Sequence, residues 1–139
     1  MSQLGVGERI SDILKKICRP KGLLGALVCT NDGLTIASYS SRRAERVVVE
    51  ENEEGFDTIV GALGSLFLTV ASRARQELHL KQVEELHLRD ESGLKVVYRV
   101  FQSAHHGYLI LGILMSSSVP YRRLTTNAIQ MIQEAIDSD

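Results

Sequence analysis

The chain has 139 residues, about one average domain, long enough to bury a core without disulfide or metal staples. At 44% hydrophobic and 24% charged it has the composition of an ordinary globular protein. Lys+Arg total 16 against 17 Asp+Glu, a formal net charge of −1, so bulk charge supplies no field to draw in phosphate backbones and gives no support for a nucleic acid partner.

The two cysteines, Cys18 and Cys29, sit inside apolar stretches, where a free thiol behaves as a small hydrophobe. The segment Met1 to Arg9 lacks the apolar run of a signal peptide. The longest apolar run, Tyr108 to Met115, is far too short to span a membrane. The expected location is the cytoplasm.

Ile10, Ile13, Leu14 and Ile17 repeat at the spacing of one helical face and predict a first helix from about Gly7 to Ile17. Lys15 and Lys16 in its last turn suit the helix dipole, and Pro20 ends it. Leu23 to Cys29 is an unbroken apolar run, which predicts a central strand buried on both faces. Thr30-Asn31-Asp32-Gly33 carries tight-turn chemistry, and Leu34 to Ser38 alternates, so the second strand runs back against the first.

Ser40 to Gly55 reads as a charged, solvated connector, although Val47-Val48-Val49 leaves open a short extra strand or a segment that orders on a partner. Phe56 to about Leu80 then carries the longest helical pattern. Phe56, Ile59, Val60, Leu63, Phe67, Val70 and Ala74 form the stripe expected to face the sheet. Three strands follow: Val83 to Arg89, Leu94 to Phe101 after the turn at Glu91-Ser92-Gly93, and the wholly apolar Tyr108 to Met115. Leu124, Ala128, Met131, Ile132, Ala135 and Ile136 mark a closing helix. Placing the two doubly buried strands side by side gives an α/β domain over residues 1–139 with a five-stranded antiparallel-type sheet, order 2-1-5-4-3. Two helices then cover one face and the long helix the other.

The long helix has no water-loving side over its first turns. At 100° per residue, Gly61, Ser65, Leu68 and Ser72 lie opposite Phe56 and Phe67, flanked by Ala62 and Thr69. A helical glycine costs about 1 kcal/mol relative to alanine, a cost that close approach of another helix can offset. The expected occupant is the same helix of a second copy, through Gly61, Ser65, Leu68 and Ser72; the alternative is cover by another part of this chain. The edge strand with Glu84, Glu85, His87 and Arg89 is a second place for two copies to pair.

The run Gly25 to Ser38, with its apolar strand, Asp-Gly turn and small-residue strand, resembles the signature hairpin of the roadblock family, and within it the MglB-type bacterial and archaeal members. The long small-residue helix, three strands and closing helix match the same family in order, over essentially the whole chain. The resemblance implies a dimer through the long helix and third strand, forming a platform for small Ras-like GTPases. Members of the family act as GTPase activators that reshape the GTPase's own switch regions, or as scaffolds and light chains. On this chain the platform falls on Thr58, Ala62, Ser65, Thr69, Ser72, Arg73 and Gln76, with the connector outside the family pattern.

Chemistry of the chain's own finds few candidates. His105 and His106 are adjacent at a turn, without a third metal ligand at suitable spacing, and no phosphate loop, Gly-x-Ser-x-Gly or Gly-x-Gly-x-x-Gly occurs. Arg73 and Arg75 could act as an arginine finger, but are more simply surface cations near a helix end. The expectation is a non-enzyme with no catalytic residues, cofactor or metal. It regulates or scaffolds a GTPase, possible activation included; the alternative is a nucleotide-independent structural subunit of a larger complex.

Overall fold

A computed structural model describes residues 5–19, 22–44, 55–116 and 119–138, with the side chains of 56–59 outside that description. The elements are α1 (Val6–Ile17), β1 (Leu23–Thr30), β2 (Thr35–Ser40), α2 (Phe56–Leu78), β3 (Glu85–Arg89), β4 (Leu94–Ser103), β5 (Gly107–Ser116) and α3 (Arg122–Asp137). The strands form one sheet in the order β2-β1-β5-β4-β3, and every neighbouring pair is antiparallel.

The order follows from burial. β1 and β5 are the apolar runs, and only central strands can bury side chains on both faces. Ala26, Val28, Leu111, Ile113 and Met115 face α1 and α3, while Leu24, Leu27, Cys29, Ile110 and Leu114 face α2. The first hairpin closes through Thr30 N–H donating to Leu34 O (2.9 Å), with Gly33 at φ 89°, a conformation most side chains avoid. The second closes on Asp90, whose Oδ1 accepts from Ser92 N (2.9 Å) and Leu94 N (3.0 Å).

α1 and α3 pack against each other and run antiparallel, since Arg9 Nη2 at the start of α1 donates to Ala135 O in the last turn of α3 (3.3 Å). On α3 the buried set includes Thr125 and Ile129, while Met131, expected inside, is exposed. Within the charged connector, 42–44 makes one helical turn and Ala44 is buried in the α2-side core. Arg42 and Arg43 are exposed, and residues 45–54, with the valine triplet, lie outside the described residues.

Candidate functional site

α2 is set on the sheet by close approach. Tyr98, fully buried, stands between two glycines: its ring carbons lie 3.2 Å from where a Cβ on Gly64 would be and 2.9 Å from one on Gly112. Its hydroxyl donates to Val60 O (2.9 Å). Nearer the first hairpin, a Cβ on Gly61 would sit 3.2 Å from Thr35 Oγ1 and 3.3 Å from Gly33 O. Ser65 Cβ lies as close to Gly33, 3.2 Å from the Cβ position there. Val60, Phe67 and Ala71 complete the buried side of the helix.

This corrects the orientation expected from the periodicity. Gly61 is buried against the chain's own β1–β2 hairpin, and Leu68 packs on the core. Leu63 and Val70, assigned to the sheet, are instead 39% and 50% exposed, and Leu66 is 55% exposed. Phe56 and Ile59 of the expected inward stripe have side chains outside the described residues. The small-residue stripe is thus covered in part by this chain, through the β1–β2 turn. Gly61→Leu is therefore expected to destabilise the fold by about 1–3 kcal/mol through overpacking. A lowered urea midpoint checks this; an unchanged midpoint would place Gly61 outside that contact.

The side of α2 without a polar character is real but rotated. Leu63, Leu66 and Val70 occupy the flank opposite Gly61 and Ser65, turned away from β2. α2 lies over β1, β2 and β5, and leaves the same face of β4 and β3 thinly covered. There Leu94 and Val96 are half-buried and Leu88 is 48% exposed, lining one shallow trench with Leu114. Three exposed large apolar residues on one helix flank, together with an open apolar trench on the sheet face that α2 packs on, leave more apolar surface than is usual on a monomer.

β3, the strand at that edge, is fixed from its other face. Glu85 accepts from His87 Nε2 (2.8 Å) and Tyr121 Oη (3.3 Å), and its Oε1 is 3.4 Å from Arg99 Nε. Burial alone would raise the Glu85 carboxyl; the His87 hydrogen bond, with Arg99 and Arg122 nearby, holds it below the usual carboxylate range. Arg99 Nη1 also donates to Thr125 and Thr126 Oγ1 (2.8 Å each), tying the strand pair to the start of α3.

No family model and no curated protein matches the sequence. Solved structures do. The gliding protein MglB from Thermus thermophilus superposes with a TM-score of 0.73 at 11% identity, covering 100% of this chain and 96% of that one. A Roadblock/LC7 domain from Streptomyces avermitilis gives 0.66 at 11% identity, covering 92% and 95%. Myxococcus xanthus MglB gives 0.64 at 8% identity, covering 99% and 91%.

This is the roadblock fold. Its long helix and edge strand are α2 and β3 here, the two elements that carry the exposed apolar surface. Most of the residues expected to form a platform lie together on the remaining flank of α2. Ser65, Leu68, Thr69, Ser72, Arg73 and Gln76 line one groove with Asn31 of the β1–β2 turn. Ala62 is exposed at its margin, and the Thr58 side chain lies outside the described residues. Arg73 pairs with Glu77 (3.1 Å), both largely exposed, a contact of little energetic weight. Two features had no clear signature in the sequence: Leu66, which belongs to neither expected stripe, and the Glu85 cluster, whose members are far apart in the chain.

Burial raises the Cys18 thiol to about 12 and, with Asp32 nearby, Cys29 to about 11, so neither forms a thiolate near neutral pH. Among the described residues no group of three metal-ligating side chains comes together, and no helix is long and apolar enough to cross a membrane.

Proposed function

We propose that this chain is a non-catalytic regulator or scaffold that acts as a homodimer and binds a small Ras-like GTPase. The observation that carries the reading is the exposed apolar flank of α2, Leu63, Leu66 and Val70, with the apolar trench at Leu88, Leu94 and Val96 open as well. A second copy seated there buries its own identical flank, because a two-fold contact is made of one patch twice. β3 is an edge strand among the described residues and lines the trench, so strand pairing between copies would extend the same interface.

Self-association through that flank leaves the opposite groove open. Thr69, Arg73 and Gln76, with Ser65, Leu68 and Ser72 of the same groove and the exposed Ala62, then form the GTPase-facing surface. The resemblance to the roadblock family supports this assignment. Gly61 drops out of the contact set because its Cβ direction is filled by Thr35 and Gly33. Stimulation of GTP hydrolysis, in this reading, comes from reshaping the GTPase, since the groove offers mainly small and neutral groups.

The test is a pull-down with small GTPases of the same organism, loaded with a GTP analogue or with GDP. Recovery of one GTPase, stronger in one nucleotide state, is expected. Equal recovery in both states would make the chain a nucleotide-independent scaffold, and recovery of none would remove the GTPase from the proposal.

A further inference from the structure

We propose that a cleft between the last turns of α2 and the second half of β4 receives an aromatic side chain of a partner protein, with a neighbouring aspartate or glutamate of that partner held by Arg75. Tyr98 shows why the cleft exists. Its ring fills the space between α2 and the sheet at Gly64. Val100 is the next residue of β4 on that face, and Ala71 lies about two turns beyond Gly64 on α2. There two short side chains meet where, upstream, a ring fits. A cleft of about 220 Å³ stays open between them.

Ala71 is buried, Leu68, Val83 and Val100 are half-buried, and all four belong to the α2-side core, so an apolar occupant extends that core outward. The volume suits one large side chain and falls below the roughly 300–1,000 Å³ of pockets that hold drug-sized ligands. Neighbouring depressions share its lining on two sides. Leu68 and Ser72 also line the groove along α2, while Gln82, Val100 and Tyr108 also line a second cleft that reaches Ile129 and Gln133 of α3. A polypeptide can continue along either, which a free small acid cannot use. The cleft is built within one chain, so it depends neither on how two copies pair nor on a GTPase in the groove.

Arg75 is the one charged residue lining the cleft. Among the described residues it has no ion-pair partner, whereas Arg73 is paired with Glu77. A cation in the last turn suits the helix dipole, so its charge alone assigns nothing. Its place does: Arg75 and Gln82 are the nitrogen donors of an otherwise apolar cleft whose lining holds no acid. A guanidinium matches a carboxylate with two parallel hydrogen bonds, and a side-chain amide adds a further donor. Glu84 lines the continuation toward α3, so the partner's acid belongs at the α2 end.

The probe is a dye-labelled peptide with one phenylalanine between aspartates in a glycine-serine frame, titrated with the full chain and followed by fluorescence anisotropy. Saturable binding is expected, weakened at least about tenfold when the peptide's phenylalanine becomes alanine. Val100→Tyr fills the cleft from within, as Tyr98 does upstream, and should weaken binding at least about tenfold while the circular dichroism stays that of the parent. Arg75→Gln, at an exposed position, should weaken it about fivefold and reduce its salt dependence. Should Val100→Tyr not fold, Arg75→Gln and the alanine peptide decide. Absent saturation, equal binding of the alanine peptide, or parent-like binding by either folded variant would overturn the proposal. So would 3-phenylpropionate binding as tightly as the peptide, which would make the cleft a site for a small acid.

Discussion

Replacing Leu66 and Val70 together with glutamate is expected to abolish self-association and leave the fold intact. Both side chains are about half exposed in the single chain, at 55% and 50%, so glutamate there keeps its hydration and disturbs no core contact. Across a two-fold contact the same change faces its own copy, placing four carboxylates in an apolar seam. Central apolar anchors are commonly worth about 2 kcal/mol or more when truncated, and buried like charges add to that, so a rise in Kd of at least about a hundredfold follows. Sedimentation velocity at micromolar concentration reads it directly. The variant should run as a monomer with an unchanged thermal midpoint while the parent chain runs as a dimer. A variant that sediments like its parent would move the interface elsewhere.

The largest effect on stability is expected at Tyr98. Truncation to alanine empties the space between Gly64 and Gly112 and removes the hydroxyl donated to Val60 O. Loss of a fully buried aromatic side chain costs about 3–5 kcal/mol, a large part of a small domain's total stability. Tyr98→Phe separates the two contributions: it keeps the ring and should cost about 1–2 kcal/mol for the hydrogen bond alone. Urea unfolding measures both. Because the ring positions α2, Tyr98→Phe also tests whether the exposed flank depends on that anchor; a change in dimer affinity without a matching loss of stability would show that it does. Equal midpoints for Tyr98→Ala and the parent would mean that α2 is held by its other buried contacts.

The order of the elements and the order of the strands were legible because they rest on short-range signals. Leu23 to Cys29 and Tyr108 to Met115 are apolar on both faces, and only the centre of a sheet accommodates that. The turns at Asp32-Gly33 and Ser92-Gly93 set the hairpins, and the roadblock resemblance rests on the first of them. The sequence also shows that its longest helix carries no charged residue from Thr58 to Ser72.

Which flank of that helix is left open was decided by tertiary structure alone. Leu63, Leu66, Phe67, Leu68 and Val70 ring the helix, so hydrophobicity does not select a face. The choice falls to shape: the β1–β2 turn fits only against Gly61 and Ser65, and the Tyr98 ring only beneath Gly64. Those fits turn Leu63, Leu66 and Val70 outward. The cluster around Glu85 likewise joins residues from β3, β4 and α3 that no local pattern connects. Periodicity along one element reports how much of it is apolar; contact between elements decides where that surface points.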